Sequence, residues 1–152
     1  MNIAIFIAVR LKSKRLKRKA LAKIGGIELI LHLTKRLKNQ KRVKKIVWCT
    51  SKSNEDKILC ELANKNKVDF FRGDEKNVIL RFIKAAEKFK VKNIVRVTGD
   101  NPLTDSIIMD QMIDSHISTS SDYSYSAGLP IGVASEIINI KTLKYCLKNL
   151  QD

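Results

Sequence analysis

The sequence predicts an α/β protein, a three-layer α/β/α sandwich around a mostly parallel sheet. Three observations carry that reading. Short apolar runs alternate along the chain with segments whose apolar residues recur at helical spacing. A length of 152 residues with 44% hydrophobic content is enough to bury one core. Repeats, low-complexity tracts and internal linkers are missing, so the alternation belongs to a single domain over 1–152.

The elements follow in order. NIAIFIAV (2–9) is a buried first strand; its cations come after the apolar run, whereas a secretion signal has them in front. GIELILHLTKRLK (26–38) sets Ile27, Ile30, Leu31 and Leu37 near one helical face. VKKIVWCT (43–50) is the second strand, with Trp48 and Cys49 expected in the core. Ser53 then reads as an N-cap with Asp56 as a box-like partner, opening a helix that buries Ile58, Leu59 and Leu62. VDFF (68–71) is the third strand. NVILRFIKAAEKF (77–89) places Val78, Phe82, Ala85, Ala86 and Phe89 on one face. NIVRVT (93–98) is the fourth strand, and a helix runs from Ser106 to His116. DYSYS (122–126), GVASEIINI (132–140) and a last helix complete the chain.

Composition narrows the function. No apolar stretch reaches the ~18 residues of a membrane span. Cys49, Cys60 and Cys146 form neither a C-x-x-C site nor a disulfide framework, and reduced thiols in a cytoplasm are the simplest reading. The net charge is +15. Residues 1–45 hold 15 of the 30 Lys and Arg against one acid, Glu28. Nucleic acid, an anionic surface or a polyphosphate ligand would each suit such a surplus, as would a lysine-rich solvated surface.

In open α/β sheets ligands sit outside the carboxyl ends of the strands. That rule selects the loops 10–19, 50–53 and 99–105. RLKSKRLKRK (10–19) holds seven cations around Ser13, the material for converging on a polyphosphate. It matches neither the P-loop nor the G-x-G-x-x-G pattern. TGDNP (98–102) delivers a carboxylate, Asp100, between Gly99 and Pro102, either as a turn or as a rigid metal ligand. Asp105 precedes a helix and reads as its N-cap. Ser51 either contacts a ligand or begins a turn. His32 reads as packing or surface, and His116 as a cation at a helix end. Glu136, on a strand, either pairs with a cation or touches substrate.

IAVRLKSKRLKRKAL (7–21) resembles the R-x-x-S-x-R-L-x-x-K opening of GT-A-type nucleotidyltransferases, in the cytidylyltransferase-like family of spore-coat polysaccharide biosynthesis protein F. That family's relatives are the acylneuraminate and 3-deoxy-manno-octulosonate cytidylyltransferases. KIVWCTS (45–51), FFRGDEKNVILRF (70–82), IVRVTGDNPLTD (94–105) and, more loosely, PIGVASEI (130–137) are similar to later family segments in the same order. The resemblance implies a Rossmann-like GT-A fold and a reaction in which a sugar acid or sugar phosphate attacks the α-phosphorus of CTP, releasing pyrophosphate. It implies nucleotide binding by Ala8, Arg10, Ser13, Arg15, Lys19, Arg81 and Arg96, and catalysis by Arg15 and Lys19. It further implies Mg²⁺ on Asp100, substrate on Glu136, and a possible homodimer. Two departures stand out. Lys12, Lys17 and Arg18 occupy positions often held by glycine, proline and glycine. The chain also ends short of the family's C-terminal part, which supplies another metal carboxylate and much of the sugar pocket. An inactive nucleotide-binding remnant is therefore an alternative. A basic nucleic-acid-binding module is a weaker one, because no aromatic-rich RNA motif accompanies the cations.

Overall fold

A computed structural model describes residues 2–12 and 18–149. In chain order its elements are β1 (Ile3–Ala8), a 3-10 turn (Lys19–Leu21), β2 (Lys23–Ile24), β3 (Ile27–Glu28), α1 (Leu29–Leu37), β4 (Ile46–Ser51), a second 3-10 turn (Asn54–Asp56), α2 (Lys57–Lys65), β5 (Asp69–Gly73), α3 (Val78–Phe89), β6 (Asn93–Thr98), α4 (Ser106–Ser118), β7 (Tyr123–Tyr125), β8 (Glu136–Asn139) and α5 (Ile140–Asn149).

Six strands form one sheet in the order β5-β4-β1-β6-β8-β7, and β2 with β3 makes a separate hairpin. The pairs β5–β4, β4–β1 and β1–β6 are parallel, and β8 is antiparallel to both β6 and β7. Only β8 therefore runs against the rest.

Alternation along β1 divides the core. Ile3, Ile5 and Ile7 pack with Trp48, Val95, Val97 and Ile137 beneath α1, α2 and α4. Ala4 and Phe6 pack with Val47, Cys49, Ile94 and Ile138 beneath α3 and α5. Helices thus cover both faces, as the sequence predicts. Trp48 is fully buried and donates from Nε1 to Thr34 Oγ1 at 3.0 Å, which satisfies its one polar atom.

Five local readings change. Ile27 is not helical; it follows Gly25 and Gly26, whose φ values of 57° and 79° make the two-residue turn of the β2–β3 hairpin. The buried face of α1 is Leu29, Ile30, Leu33, Thr34 and Leu37, and Leu31 lies at its margin. In α2, Ile58 is exposed, and Leu59, Cys60 and Ala63 are buried, with Leu62 packed against them. Ser53 makes no side-chain cap, because the Asp56 carboxylate turns inward instead. His116 lies in the last turn of α4, as expected, but it is buried with Nδ1 2.8 Å from Ser124 Oγ and does not serve as an exposed cation. Burial pushes its pKa below the usual 6.5, so the neutral ring is favoured.

Candidate functional site

The chain leaves β1 toward β4 on one side and returns from β5 to β6 on the other. β1 and β6 therefore flank the topological switch point, where connections diverge and open a crevice at the carboxyl ends of the strands. Ala8 pairs with Thr98 at that end.

Gly99 makes the closure possible. Its N–H donates to Ala8 O at 2.8 Å, and a Cβ placed on it would sit 2.8 Å from Val9 Cβ. Beyond it the turn is built by other residues. Asn101 N–H donates to Thr98 O, Asn101 Nδ2 to Thr98 Oγ1, and Thr104 Oγ1 to Asn101 O. Arg36 Nε donates to Thr104 O from α1. Asp105 accepts from Ile107 N and Ile108 N at 2.8 and 2.9 Å, so it is the N-cap of α4. None of these bonds uses the Asp100 carboxylate. Among the described residues its side-chain partner is Lys19 Nζ, 3.3 Å from Oδ2, with both side chains 43% exposed. A turn that needs no help from Asp100 leaves that carboxylate free to face the crevice.

The first loop is anchored at its described ends. Val9 N–H donates to Cys49 O, and Arg18 N–H to Leu11 O. Leu11 N–H donates to Asp56 Oδ1 at 2.8 Å, and Asp56 also accepts from Ser51 N and Ser51 Oγ. Asp56 is only 1% exposed. It knots the base of the first loop to the end of β4, and Ser51 serves the same knot. Sequence reasoning missed this role because Ser-x-x-Asp ahead of a helix looks like capping.

The other candidates fall around this centre. Arg10 donates to Glu75 O at 3.1 Å, and Lys12 pairs with Glu75 Oε1 at 3.3 Å, so these cations reach the loop after β5. Arg81 is 2% exposed and donates from one terminal nitrogen to Asp74 O at 2.7 Å. Burial lowers its pKa, and Nε has no partner among the described residues. A Cβ on Gly73 would lie 2.7 Å from Arg81 Cγ, so the glycine makes room for that side chain. The Asp74 carboxyl is held below its usual range by backbone N–H donors of Asn77 and Lys76. Arg96 and Glu136 form an ion pair at 2.7 Å across β6 and β8. The structure thus brings Ala8, Lys19 and Asp100 together, directs Arg10 and Arg81 toward the β5 loop, and pairs Arg96 with Glu136 farther along the sheet. Ser13 and Arg15 lie outside the described residues.

A doubly wound sheet with a lysine of its first loop facing a carboxylate across the switch point is the frame of a nucleotide-handling α/β protein. The chain belongs to the cytidylyltransferase family, whose model matches residues 4–151. It is 36% identical over 146 residues to the spore coat polysaccharide biosynthesis protein SpsF of Bacillus subtilis, covering 93% of this chain and 61% of that protein. It is 36% identical over 152 residues to the uncharacterized protein MJ1063 of Methanocaldococcus jannaschii, spanning 63% of it. The structure of a cytidylyltransferase from Leptospira borgpetersenii superposes with a TM-score of 0.91 at 30% identity, over 98% of this chain and 65% of that one. The fold is shared with CMP:2-keto-3-deoxy-manno-octonic acid synthetase complexed with CTP, at a TM-score of 0.77 and 13% identity, over 97% of this chain and 78% of that one. The chain therefore spans about three fifths of the two curated relatives.

Proposed function

We propose that this chain binds CTP at the switch point and transfers its nucleotidyl group to a sugar acid or sugar phosphate, releasing pyrophosphate. The product is an activated nucleotide sugar for surface polysaccharide or glycan synthesis. The observation that carries the reading is the half-exposed Lys19–Asp100 pair at 3.3 Å, a cation and a carboxylate facing one crevice. In this reading Arg10, Ser13, Arg15 and Lys19 bind the triphosphate, with the Ala8 backbone at the nucleotide. Lys19 and Arg15 are the groups that stabilise charge on the departing pyrophosphate. Arg81 acts from below by holding the loop that Arg10 touches. Arg96 serves the nucleotide, and Glu136, its ion-pair partner, the acceptor. Three free cysteines suit a reducing, cytoplasmic setting.

Among the described residues no group of three or more His, Cys, Asp or Glu side chains is placed to cage a metal. Mg²⁺ needs no such cage: it takes one or two carboxylates and fills its shell with phosphate oxygens and water. Asp100 fits that pattern as the residue that would hold it, and the ion would supply neutralisation of phosphate oxygens.

The test is a thermal-shift screen against the four nucleoside triphosphates with Mg²⁺, followed by pyrophosphate release from CTP with acidic sugars and sugar phosphates. Selective stabilisation by CTP and release of pyrophosphate are expected. Lys19→Ala should lower kcat and kcat/KM together, as removal of a transition-state contact does. A variant that only raises KM would make Lys19 a docking charge. A second reading is binding without turnover, in which the Lys19–Asp100 pair serves only to hold the nucleotide. CTP binding with no pyrophosphate from any acceptor would put it in place of the first.

A further inference from the structure

The net charge of +15 gathers in two places. Residues 10–19, the first loop, hold seven Lys and Arg. Residues 38–45, 65–67 and 88–92 hold ten more in sixteen residues, with no acid among them. The rest of the chain carries 13 cations against its 15 acids. The proposed reaction uses the first concentration and leaves the second without a role.

The fold brings that second concentration to one end of the molecule. Its three segments lead into β4, β5 and β6, which run parallel with β1. They therefore meet at the amino ends of the strands, opposite the crevice. Lys45 O accepts from Ile5 N and Asn2 O from Lys92 N, so the segments close around the start of β1. All ten cations are exposed. Among the described residues, carboxylates engage the side chains of two: Asp69 pairs with Lys45 at 3.0 Å and Asp114 with Arg42 at 2.6 Å. Two adjoining clefts of about 350 and 340 Å³ open here, and Lys44 and Lys45 line both.

Helix ends do not account for this charge. α1, α2 and α3 finish on this face, and their macrodipoles together present about one and a half negative charges. Ten cations far exceed that. Two of the lysines also sit where glycine is favoured: Lys67 and Lys90 take φ values of 53° and 55° just past α2 and α3. None of the large hydrophobic side chains exposed among the described residues falls in these segments.

We propose that this face docks the protein peripherally on an anionic lipid bilayer, with the crevice turned toward solution. Ammonium groups are strongly hydrated and costly to bury unpaired, so an anionic partner suits the face where apolar chain does not. The cations come from helices on both sides of the sheet, α1 and α2 on one and α3 on the other. They cover an area, which matches a plane of phosphates. A nucleic-acid strand is instead tracked along a groove with aromatic side chains open for stacking. The one aromatic residue of these segments, Phe89, lies beneath the ammonium groups of Lys45 and Lys88, at 5.1 and 5.4 Å. With no apolar wedge to insert, the docking is electrostatic and salt-reversible.

The docking is independent of the activity proposed above. The whole chain should co-sediment with phosphatidylglycerol-containing vesicles at low salt, be released at high salt, and ignore pure phosphatidylcholine vesicles. Lys38→Gln/Lys44→Gln/Lys92→Gln should weaken that binding by about tenfold or more. Lys12→Gln/Lys17→Gln/Arg18→Gln, which removes as much charge from the first loop, should change it little. Should the first variant fail to fold, acylation of lysines in the unaltered chain gives the answer: Lys38, Lys44, Lys67, Lys90 and Lys92 should be shielded by the anionic vesicles. No binding to anionic vesicles, equal loss in both variants, binding that survives high salt, or unshielded lysines would each overturn the proposal. Retention of mixed-sequence RNA without vesicle binding would overturn it too, and would assign the face to nucleic acid.

Discussion

Two aspartates of the site behave oppositely, and each yields a prediction. Asp100 is half-exposed and makes none of the bonds that shape its turn. Asp100→Asn should therefore leave the melting temperature of the free chain unchanged and weaken Mg²⁺-dependent CTP binding by about tenfold or more, which is ~1.4 kcal/mol. Calorimetric affinity equal to that of the unaltered chain would remove Asp100 from the site. Asp56 is buried and accepts from Leu11 N, Ser51 N and Ser51 Oγ. Asparagine has one acceptor oxygen fewer and turns an NH₂ toward those donors. Asp56→Asn should destabilise the chain by about 1–3 kcal/mol in urea melts, the cost of leaving a buried donor unpaired. No loss of stability would mean the knot is dispensable. The abrupt strand end that exposes Asp100 was legible in the sequence because Gly99 and Pro102 mark it. Asp56 was not, since a helix-proximal aspartate reads as local while one of its partners, Leu11, is 45 residues away.

At the scale of elements, the strands were read well where both faces are buried. β6 is found at the residues expected, and the ends of β4 and β5 shift by one to three residues. The β2–β3 hairpin was missed because two residues a side show no periodicity, leaving only the Gly-Gly turn as a signal. The joint between α4 and β7 was missed because α4 outlasts its expected end and carries His116 inward against Ser124. That joint makes stability depend on pH. His116 is lowered from 6.5 by burial, so the unfolded chain binds the proton more readily. Its contribution is complete above the unfolded value of 6.5 and is lost as pH falls from there through the lower folded value. Urea midpoints should drop between pH 7 and 5, and His116→Asn should flatten that slope. An equal slope in the variant would assign the titration elsewhere.

For the molecule as a whole, the alternation of elements announced the class. The order of strands stayed hidden, because pairing is decided by three-dimensional packing that local periodicity does not encode. That order has a consequence for how the chain is made. β1 pairs with β4 on one side and β6 on the other, and β6 arrives some ninety residues after β1. During synthesis the Ile-Ala-Ile-Phe-Ile-Ala strand can dock β4 early, yet its second edge stays bare until residue 98 has left the ribosome. The emerging chain is then a half-sheet with an open apolar margin and a basic first loop with no Asp100 opposite it. Nascent chains arrested before Asn93 should aggregate or be captured by chaperones, whereas chains released after Asn149 should not. Soluble, protease-resistant arrested chains would show that the first half is a folding unit by itself.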